Sequence, residues 1–383
     1  MLIHFENSHV SRWILANPLA VGVGRISYSL YLVHWPIYVF FRQWAGGELC
    51  LIESLIVGIV SLLSALMMYR YIEQPFRIRG DGSTMKFHTR SFVMVFAGFS
   101  VCLVVVSLLI SKGQGWAWRY PAELAKLASE AEAEKQARYS PYRERCLAKH
   151  RIPCDKPTQG VNVFIVGDSH GPDAFNALVS QYPDFHFVMY TVGGCPPLVR
   201  ENYTLLAANH PNRKSCVASN EKLLYDTQLS KADLVLINTV FMWYRPEHLA
   251  LSIGQIRKHT HAKIVVLGNY LFFDEDLPDM VVRHGALVMD AFYERNLAKH
   301  SLAFEDELTA LSQKLDFIFV SKRQIFCKGV SIENCPLILR DKLFTYDRHH
   351  LSLAAAHELG AALKSRLDPI FSNITRYKSS IKS

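Results

Sequence analysis

Up to about residue 112 the apolar residues run in long blocks with few acids among them. Beyond that point they fall into short runs separated by polar, periodic stretches. The two regimes predict two surroundings. Residues 51–72 and 92–111 are nearly unbroken hydrocarbon, about the ~20 residues that a bilayer span requires. Residues 21–41 have the length of a third span but carry Arg25, Ser27, Ser29, His34 and Pro36. Groups of that kind are costly against lipid and face a bundle interior or a polar cavity. For Arg25 there is the alternative of snorkelling to the headgroups. The expectation is three membrane helices within 1–112, followed by one soluble region.

In the soluble region, residues 113–159 are rich in Ala, Glu, Lys and Leu over 120–143, which predicts a helical linker. From 160 to 370, apolar runs at 161–166, 185–191, 233–239, 263–267 and 317–320 alternate with helical periodicity. The helical stretches are 171–181, 246–259 and 352–367, the last with Leu353, Ala356, Leu359 and Leu363 on one face. Short strands alternating with helices predict an α/β fold, a parallel sheet flanked by helices. Ligands of such sheets bind beyond the carboxyl ends of the strands. Gly-Asp-Ser-His at 167–170 lies at that end of the first strand. Gly193 and Gly194 follow the second, and Asn238 ends the third.

Composition and charge sharpen this picture. Of 383 residues, 50% are hydrophobic and 20% charged, which excludes a disordered chain. The net charge is +8, but no basic stripe with interleaved aromatics marks a nucleic-acid surface, so no nucleic-acid partner is expected. The densest basic stretch is Arg70, Arg77, Arg79, Lys86 and Arg90, between two apolar runs, as in a cytoplasmic loop. That loop puts the N-terminus in the cytoplasm and everything past residue 112 outside it. No cleavable signal-peptide pattern is evident. Two of eight cysteines, Cys50 and Cys102, lie at or within spans, and six lie in the outside region. An even set in an oxidising compartment predicts disulfides, most simply the local pairs Cys146–Cys154, Cys195–Cys216 and Cys327–Cys335. A zinc site is the rival, without a CxxC pair or a histidine at ligand spacing to support it.

A serine on a tight strand-to-helix turn is exposed, with helix amides behind it. It becomes a nucleophile when a base takes its proton. The segment Tyr-Asp-Arg-His-His-Leu-Ser at 346–352 supplies Asp347 and His350, three apart on a turn entering a helix. Ser169, His350 and Asp347 thus fill the roles of nucleophile, base and orienting carboxylate. The amides of Ser169 and Gly194 and the side chain of Asn238 are candidate donors to a developing oxyanion. Gly193 offers the same donor as Gly194, and a strand-end Asn otherwise caps a backbone group. No metal-ligand spacing, P-loop or dinucleotide fingerprint is present.

These features together resemble the SGNH hydrolase-like superfamily: Gly-Asp-Ser-His after the first strand, a Gly turn, a strand-end Asn and a late Asp-x-x-His-Leu-Ser. The membrane part, with Gly-Arg-Ile-Ser-Tyr-Ser-Leu-Tyr-Leu-Val-His-Trp-Pro at 24–36 and Arg-Tyr-Ile-Glu-Gln-Pro-Phe-Arg at 70–77, resembles the last part of the acyltransferase-3 membrane family. The resemblance implies a truncated acyltransferase-3 bundle in 1–112 and a flavodoxin-like SGNH domain over 160–370. It implies an O-acyltransferase of bacterial surface polysaccharide, such as lipopolysaccharide O-antigen, in the inner membrane with a periplasmic SGNH domain. Acyl-CoA, usually acetyl-CoA in this family, is then the ultimate donor, and no cofactor is held. About ten helices precede the last crossing in the family, whereas this sequence has room for two. Acyl supply is therefore expected to need the missing helices or a subunit that provides them. Asn238 departs from the family's Gly-x-Asn-Asp signature, being followed by Thr239 and Val240. Two other readings stand beside the transferase: a carbohydrate O-acetyl esterase using the same triad, and a membrane-tethered glycan-binding module without catalysis.

Overall fold

A computed structural model describes residues 17–45, 49–74, 89–113, 115–146, 154, 156–225, 227–273, 275–285, 304–327 and 335–382. Arg77, Arg79 and Lys86 of the expected cytoplasmic loop lie outside the described residues. The chain forms two compact units, Met1–Ala117 and Trp118–Ser383.

Among the described residues the first unit holds three helices: α1 (Pro18–Ala45), α2 (Leu51–Met68), continued by a π-helical turn over Tyr69–Glu73, and α3 (Thr89–Lys112). Among the described residues, two helices are long and apolar enough to cross a membrane, Leu51–Glu73 and Val93–Lys112. The segment expected as a third span forms the helix α1, 28 residues long, but it is not among the candidate membrane spans, as the polar groups noted above would lead one to expect. Its buried residues, Ile26 and Ser29, lie on one face, as do Val57, Ser61 and Ala65 of α2, the helix it packs against. Small and polar residues at such a contact allow close approach and hydrogen bonding between helices. Ser29 Oγ, fully buried, donates to Glu73 Oε2 at 2.7 Å. His34 turns its Nδ1 back onto the carbonyls of Leu30 and Tyr31, at 3.0 and 2.9 Å.

In the second unit, α4 (Ala122–Ala137) and α5 (Ser140–Cys146) precede the sheet. There follow β1 (Asn162–Gly167), α6 (Gly171–Gln181), β2 (His186–Thr191), α7 (Arg213–Tyr225), β3 (Leu234–Asn238), α8 (Pro246–Arg257) and β4 (Lys263–Leu267). The unit continues through α9 (Leu277–His284), α10 (Glu305–Leu315), β5 (Ile318–Val320), the short α11 (Lys322–Phe326), a hairpin of β6 (Ile338–Leu339) and β7 (Lys342–Leu343), and α12 (Leu353–Lys382). The five main strands are all parallel, in the order β2-β1-β3-β4-β5. This is the flavodoxin-like order, whose direction reverses between β1 and β3 and opens a crevice at their carboxyl ends.

Because side chains alternate along a strand, each strand feeds two cores. Val163, Ile165, Leu234, Leu236 and Val265 pack with α6, α9 and α12. Phe164, Val166, Val235, Ile237 and Ile264 pack with α7, α8 and α10. Burial on both faces is why β1 and β3 read as unbroken apolar runs. The three local disulfides form as the spacing suggested: Cys146–Cys154, Cys195–Cys216 and Cys327–Cys335. Cys50 and Cys102 are free.

The helical linker turns out to be part of this fold. Ala131 of α4 joins the core, and Glu134 is buried, with its carboxylate accepting from Lys342 Nζ and from the Leu353 amide (2.8 Å) that opens α12.

The end of β1 is the tightest point of the sheet. A Cβ at Gly167 would sit 1.9 Å from the Asn238 carbonyl oxygen on β3, so only glycine fits. Gly167→Ala is therefore expected to destabilise the second unit by about 3 kcal/mol or more, since neither strand can move away without losing its other neighbour. Urea unfolding of the chain in detergent micelles, followed by near-UV circular dichroism, measures this.

Candidate active site

The turn between β1 and α6 carries Asp168, Ser169 and His170. Asp168 is buried, and its Oδ1 accepts from the His170 amide two residues on, at 2.9 Å. Its Oδ2 accepts from Thr239 Oγ1 at 2.8 Å and the Val240 amide at 2.9 Å. Burial raises the Asp168 pKa, against the pull of these donors. The carboxyl thereby ties the turn to the loop leaving β3. Ser169, between two buried neighbours, remains half-buried and reachable.

The loop before α12 brings Asp347 and His350 to Ser169. An antiparallel bridge of Thr345 with Leu351 pinches it closed. The Phe273 amide donates to the Arg348 carbonyl at 2.9 Å, and the Leu277 amide to that of Asp347 at 3.3 Å. Within the loop, Asp347 Oδ1 accepts from the amides of His349 and His350 at 3.0 and 2.8 Å. Asp347 Oδ2 lies 2.6 Å from His350 Nδ1, and His350 Nε2 lies 2.8 Å from Ser169 Oγ. Burial raises the Asp347 pKa, but the bond from His350, the imidazole's charge and the two amides outweigh it and hold the carboxyl well below its ordinary range. An ionised Asp347 keeps the ring proton on Nδ1, which leaves Nε2 as the acceptor facing the serine hydroxyl. The structure thus brings together Ser169, His350 and Asp347 in one hydrogen-bonded chain.

The three expected oxyanion donors fare differently. No acceptor among the described residues is hydrogen-bonded to the amide of Ser169 or of Gly194. Gly194 is exposed, with φ at +69°, in a turn closed by the Cys195 amide on the Val192 carbonyl at 2.9 Å. Positive φ at the third position of the turn suits glycine. Cys195, bridged to Cys216 on α7, pins the turn from one side. Asn238 requires a correction. It is fully buried, its Nδ2 donates to the His170 carbonyl at 2.7 Å, and its Oδ1 accepts from Lys322 Nζ at 2.9 Å. Its amide supports the turn that carries Ser169 from beneath, and the side chain has no surface open to solvent. Lys322 is itself buried, which lowers its pKa to about 8 despite the attraction of Asp173 and Asp168.

Several residues around the triad carried no signal in the sequence. Arg138, at the end of α4, is 1% exposed and donates from Nε to Asp173 Oδ1 at 2.7 Å and from a terminal nitrogen to the Ser169 carbonyl. Asp173 Oδ2 accepts from the Leu351 amide at 3.3 Å. One ion pair therefore touches the nucleophile turn, helix α6 and the histidine loop. His170 and His349 flank the triad, with His170 Nε2 at 2.9 Å from His349 Nδ1 and Phe272 stacked on His349. Burial, reinforced by the neighbouring His350, lowers the His349 pKa to about 4 and that of His170 well below the ordinary value, so both rings are neutral. The Asp and His flanking Ser169 and the His349 beside His350 were visible in the motif without an assigned role. His170, His349 and His350 are the group among the described residues with the right atoms and spacing to hold a metal.

The sequence profile of the SGNH domain fused to AT3 domains matches residues 132–365, more than half of the chain. Among curated proteins, the O-acetyltransferase OatA of Staphylococcus aureus strain MRSA252 is 27% identical over 131 residues, which cover 34% of this chain and 20% of the relative. A putative O-acetyltransferase of S. aureus strain COL is 36% identical over 76 residues, 19% of this chain and 13% of the relative. The match thus spans about a fifth or less of these relatives. Among solved structures, the periplasmic domain of a Salmonella ser. Paratyphi A lipopolysaccharide acetyltransferase superposes with a TM-score of 0.45 at 16% identity, covering 56% of this chain and 85% of that one.

Arg138→Met would leave the Asp173 carboxylate buried without its partner, and is expected to cost about 3–5 kcal/mol of stability in urea unfolding. Arg138→Met combined with Asp173→Asn is expected to recover part of that loss, since the stranded charge is gone.

Proposed function

The chain belongs to the family of SGNH domains fused to AT3 domains, and from that membership and the site's geometry we propose that it is an O-acyltransferase acting on a bacterial surface polysaccharide. The observation that carries this reading is the hydrogen-bonded chain from Asp347 through His350 to Ser169 at the carboxyl edge of the sheet.

In the proposed reaction Ser169 Oγ attacks the carbonyl carbon of an acyl donor, acetyl in the simplest case, as His350 Nε2 takes the hydroxyl proton. Asp347 holds the Nδ1 proton and stabilises the imidazolium that forms. The Ser169 and Gly194 amides donate to the carbonyl oxygen as it becomes an oxyanion. The tetrahedral intermediate collapses to an acyl-serine while His350 returns its proton to the leaving group. A sugar hydroxyl then gives its proton to His350 and attacks the acyl-serine, and the new tetrahedral intermediate collapses to the sugar ester as His350 passes that proton to the departing Ser169 Oγ. With water in place of the sugar, the same steps describe an esterase.

The donor is proposed to reach Ser169 from cytoplasmic acyl-CoA through an acyltransferase-3 membrane bundle. α2 and α3 would be two of its spans and α1 a polar helix packed among the rest. Those further helices would come from a preceding segment or a separate subunit. The second unit would then lie on the periplasmic side of the inner membrane, where its three disulfides are stable.

The test uses the whole chain in detergent micelles with p-nitrophenyl acetate as a donor that needs no membrane transport. Wild type is expected to release p-nitrophenol and to react with a fluorophosphonate at Ser169. Ser169→Ala is expected to abolish labelling and to slow turnover by about 10³-fold or more. An oligosaccharide acceptor is expected to divert acetyl from water to sugar. Turnover indifferent to sugar would establish the esterase instead. Equal turnover in wild type and folded Ser169→Ala would remove the triad from the account and leave a glycan-binding module.

A further inference from the structure

Three imidazoles from two separate turns converge beside Ser169, and the proposed reaction uses one of them. The ring nitrogens of His170, His349 and His350 that face one another all lie within 4.8 Å, and His170 Nε2 is 2.9 Å from His349 Nδ1. A tetrahedral ion with metal–nitrogen bonds of about 2.0–2.1 Å holds its ligand nitrogens ~3.3 Å apart. The His170 and His349 pair is already inside that spacing, and the remaining approach is at most about 1.5 Å, within the swing of a half-buried ring.

The far side of the rings supplies a second, independent observation. A histidine that binds a metal usually offers its other ring nitrogen to a carboxylate, which fixes the tautomer and raises the basicity of the ligand. His350 Nδ1 meets Asp347 Oδ2 at 2.6 Å, and His170 Nδ1 faces Asp173 Oδ2 at 3.7 Å. One of the three rings is thus backed as ligands are, and a second has a carboxylate just beyond hydrogen-bond reach. Asp173 is itself anchored by Arg138, so the second carboxylate is fixed in place.

We propose that His170 Nε2, His349 Nδ1 and His350 Nε2 form a binding site for a divalent transition metal of the zinc class, and that the ion silences Ser169 by occupying its base. Three imidazole nitrogens select zinc, copper or nickel over magnesium and calcium, which prefer oxygen ligands. The proton that His170 and His349 share between them moves on binding to the outer nitrogen of its ring, which on His170 is the one facing Asp173. His350 Nε2 has a single in-plane lone pair. Once that pair is given to the metal, it cannot accept the Ser169 proton. The metal site stands on the three rings alone, whereas its silencing effect rests on the triad reading above.

The experiment uses the whole chain in detergent micelles, stripped of metal with EDTA. Cobalt(II) alone, as the spectroscopic stand-in for zinc, is expected to bind one ion per chain with the visible absorption of tetrahedral coordination, displaced by zinc. His349→Ala and His170→Ala are each expected to weaken binding by about tenfold or more. Saturating zinc is expected to slow fluorophosphonate labelling of Ser169 in wild type by about tenfold or more, reversed by EDTA. Labelling of His349→Ala, taken relative to its own metal-free rate, is expected to ignore the same zinc. Absence of the cobalt spectrum, or binding unchanged in both variants, would overturn the site. Zinc that leaves wild-type labelling untouched would overturn the silencing. A metal-free wild type that does not label at all counts against the triad, and the cobalt spectrum then decides the metal site by itself.

Discussion

A serine presented on a turn leaves backbone carbonyls that neither the strand before it nor the helix after it fully pairs. Buried and unpaired, each would cost about 1–3 kcal/mol. Here the Ser169 carbonyl takes its partner from the distant Arg138, while the His170 carbonyl, which also accepts from the Asp173 amide at 3.0 Å, is given a second donor by Asn238. Arg138 depends in turn on Asp173, and Asp173 also holds the Leu351 amide of the histidine loop. Asn238 is oriented by Lys322 from the start of α11, just past β5. The position of Ser169 relative to His350 is therefore set by a fully buried polar network, and the networks that specify a unique geometry are those in which every member is satisfied.

The sheet was legible because its central strands are buried on both faces, and such strands must be continuous apolar runs. Helix α6 was legible to the residue, with Pro172 near its start and apolar positions on one face. Helix α7 was not. Much of its sequence is polar, and a disulfide from Cys216 to Cys195 contributes to holding it in place. α10 fared likewise, since only Glu305 and Leu308 of it are buried. The α12 helix was read, but only its first half, because the periodic leucines give way to Phe371 beyond Pro369.

The same distinction governs the site. Ser169, Asp347 and His350 were readable because each half of the triad is a short motif whose local geometry is fixed by its own turn. Asn238 stayed open between two roles in the sequence because a strand-end asparagine looks the same whether its amide meets a substrate or a carbonyl. What decides is Lys322, 84 residues away. Arg138 was invisible for the same reason, its carboxylate partner lying 35 residues further along the chain. In the first unit the logic of burial is inverted. The most apolar window of Val93–Lys112 has no buried residue, and the buried positions of α1 and α2 include Ser29 and Ser61. A hydrogen bond such as that between Ser29 and Glu73 is a natural contact between helices in lipid, where polar groups have few other partners.

Helix α4 looked like a tether in the sequence, yet Ala131 sits in the core, Glu134 braces the start of α12, and Arg138, one residue beyond, caps the nucleophile turn. The boundary of the hydrolase-like module is thus not the first strand but the helix some twenty-five residues or more ahead of it. Any excision or transplant of this module that begins at β1 would carry all three triad residues and still lack the guanidinium that holds one of them in place. A shuffled gene must take the helix along with the sheet, so connector and module travel as one piece.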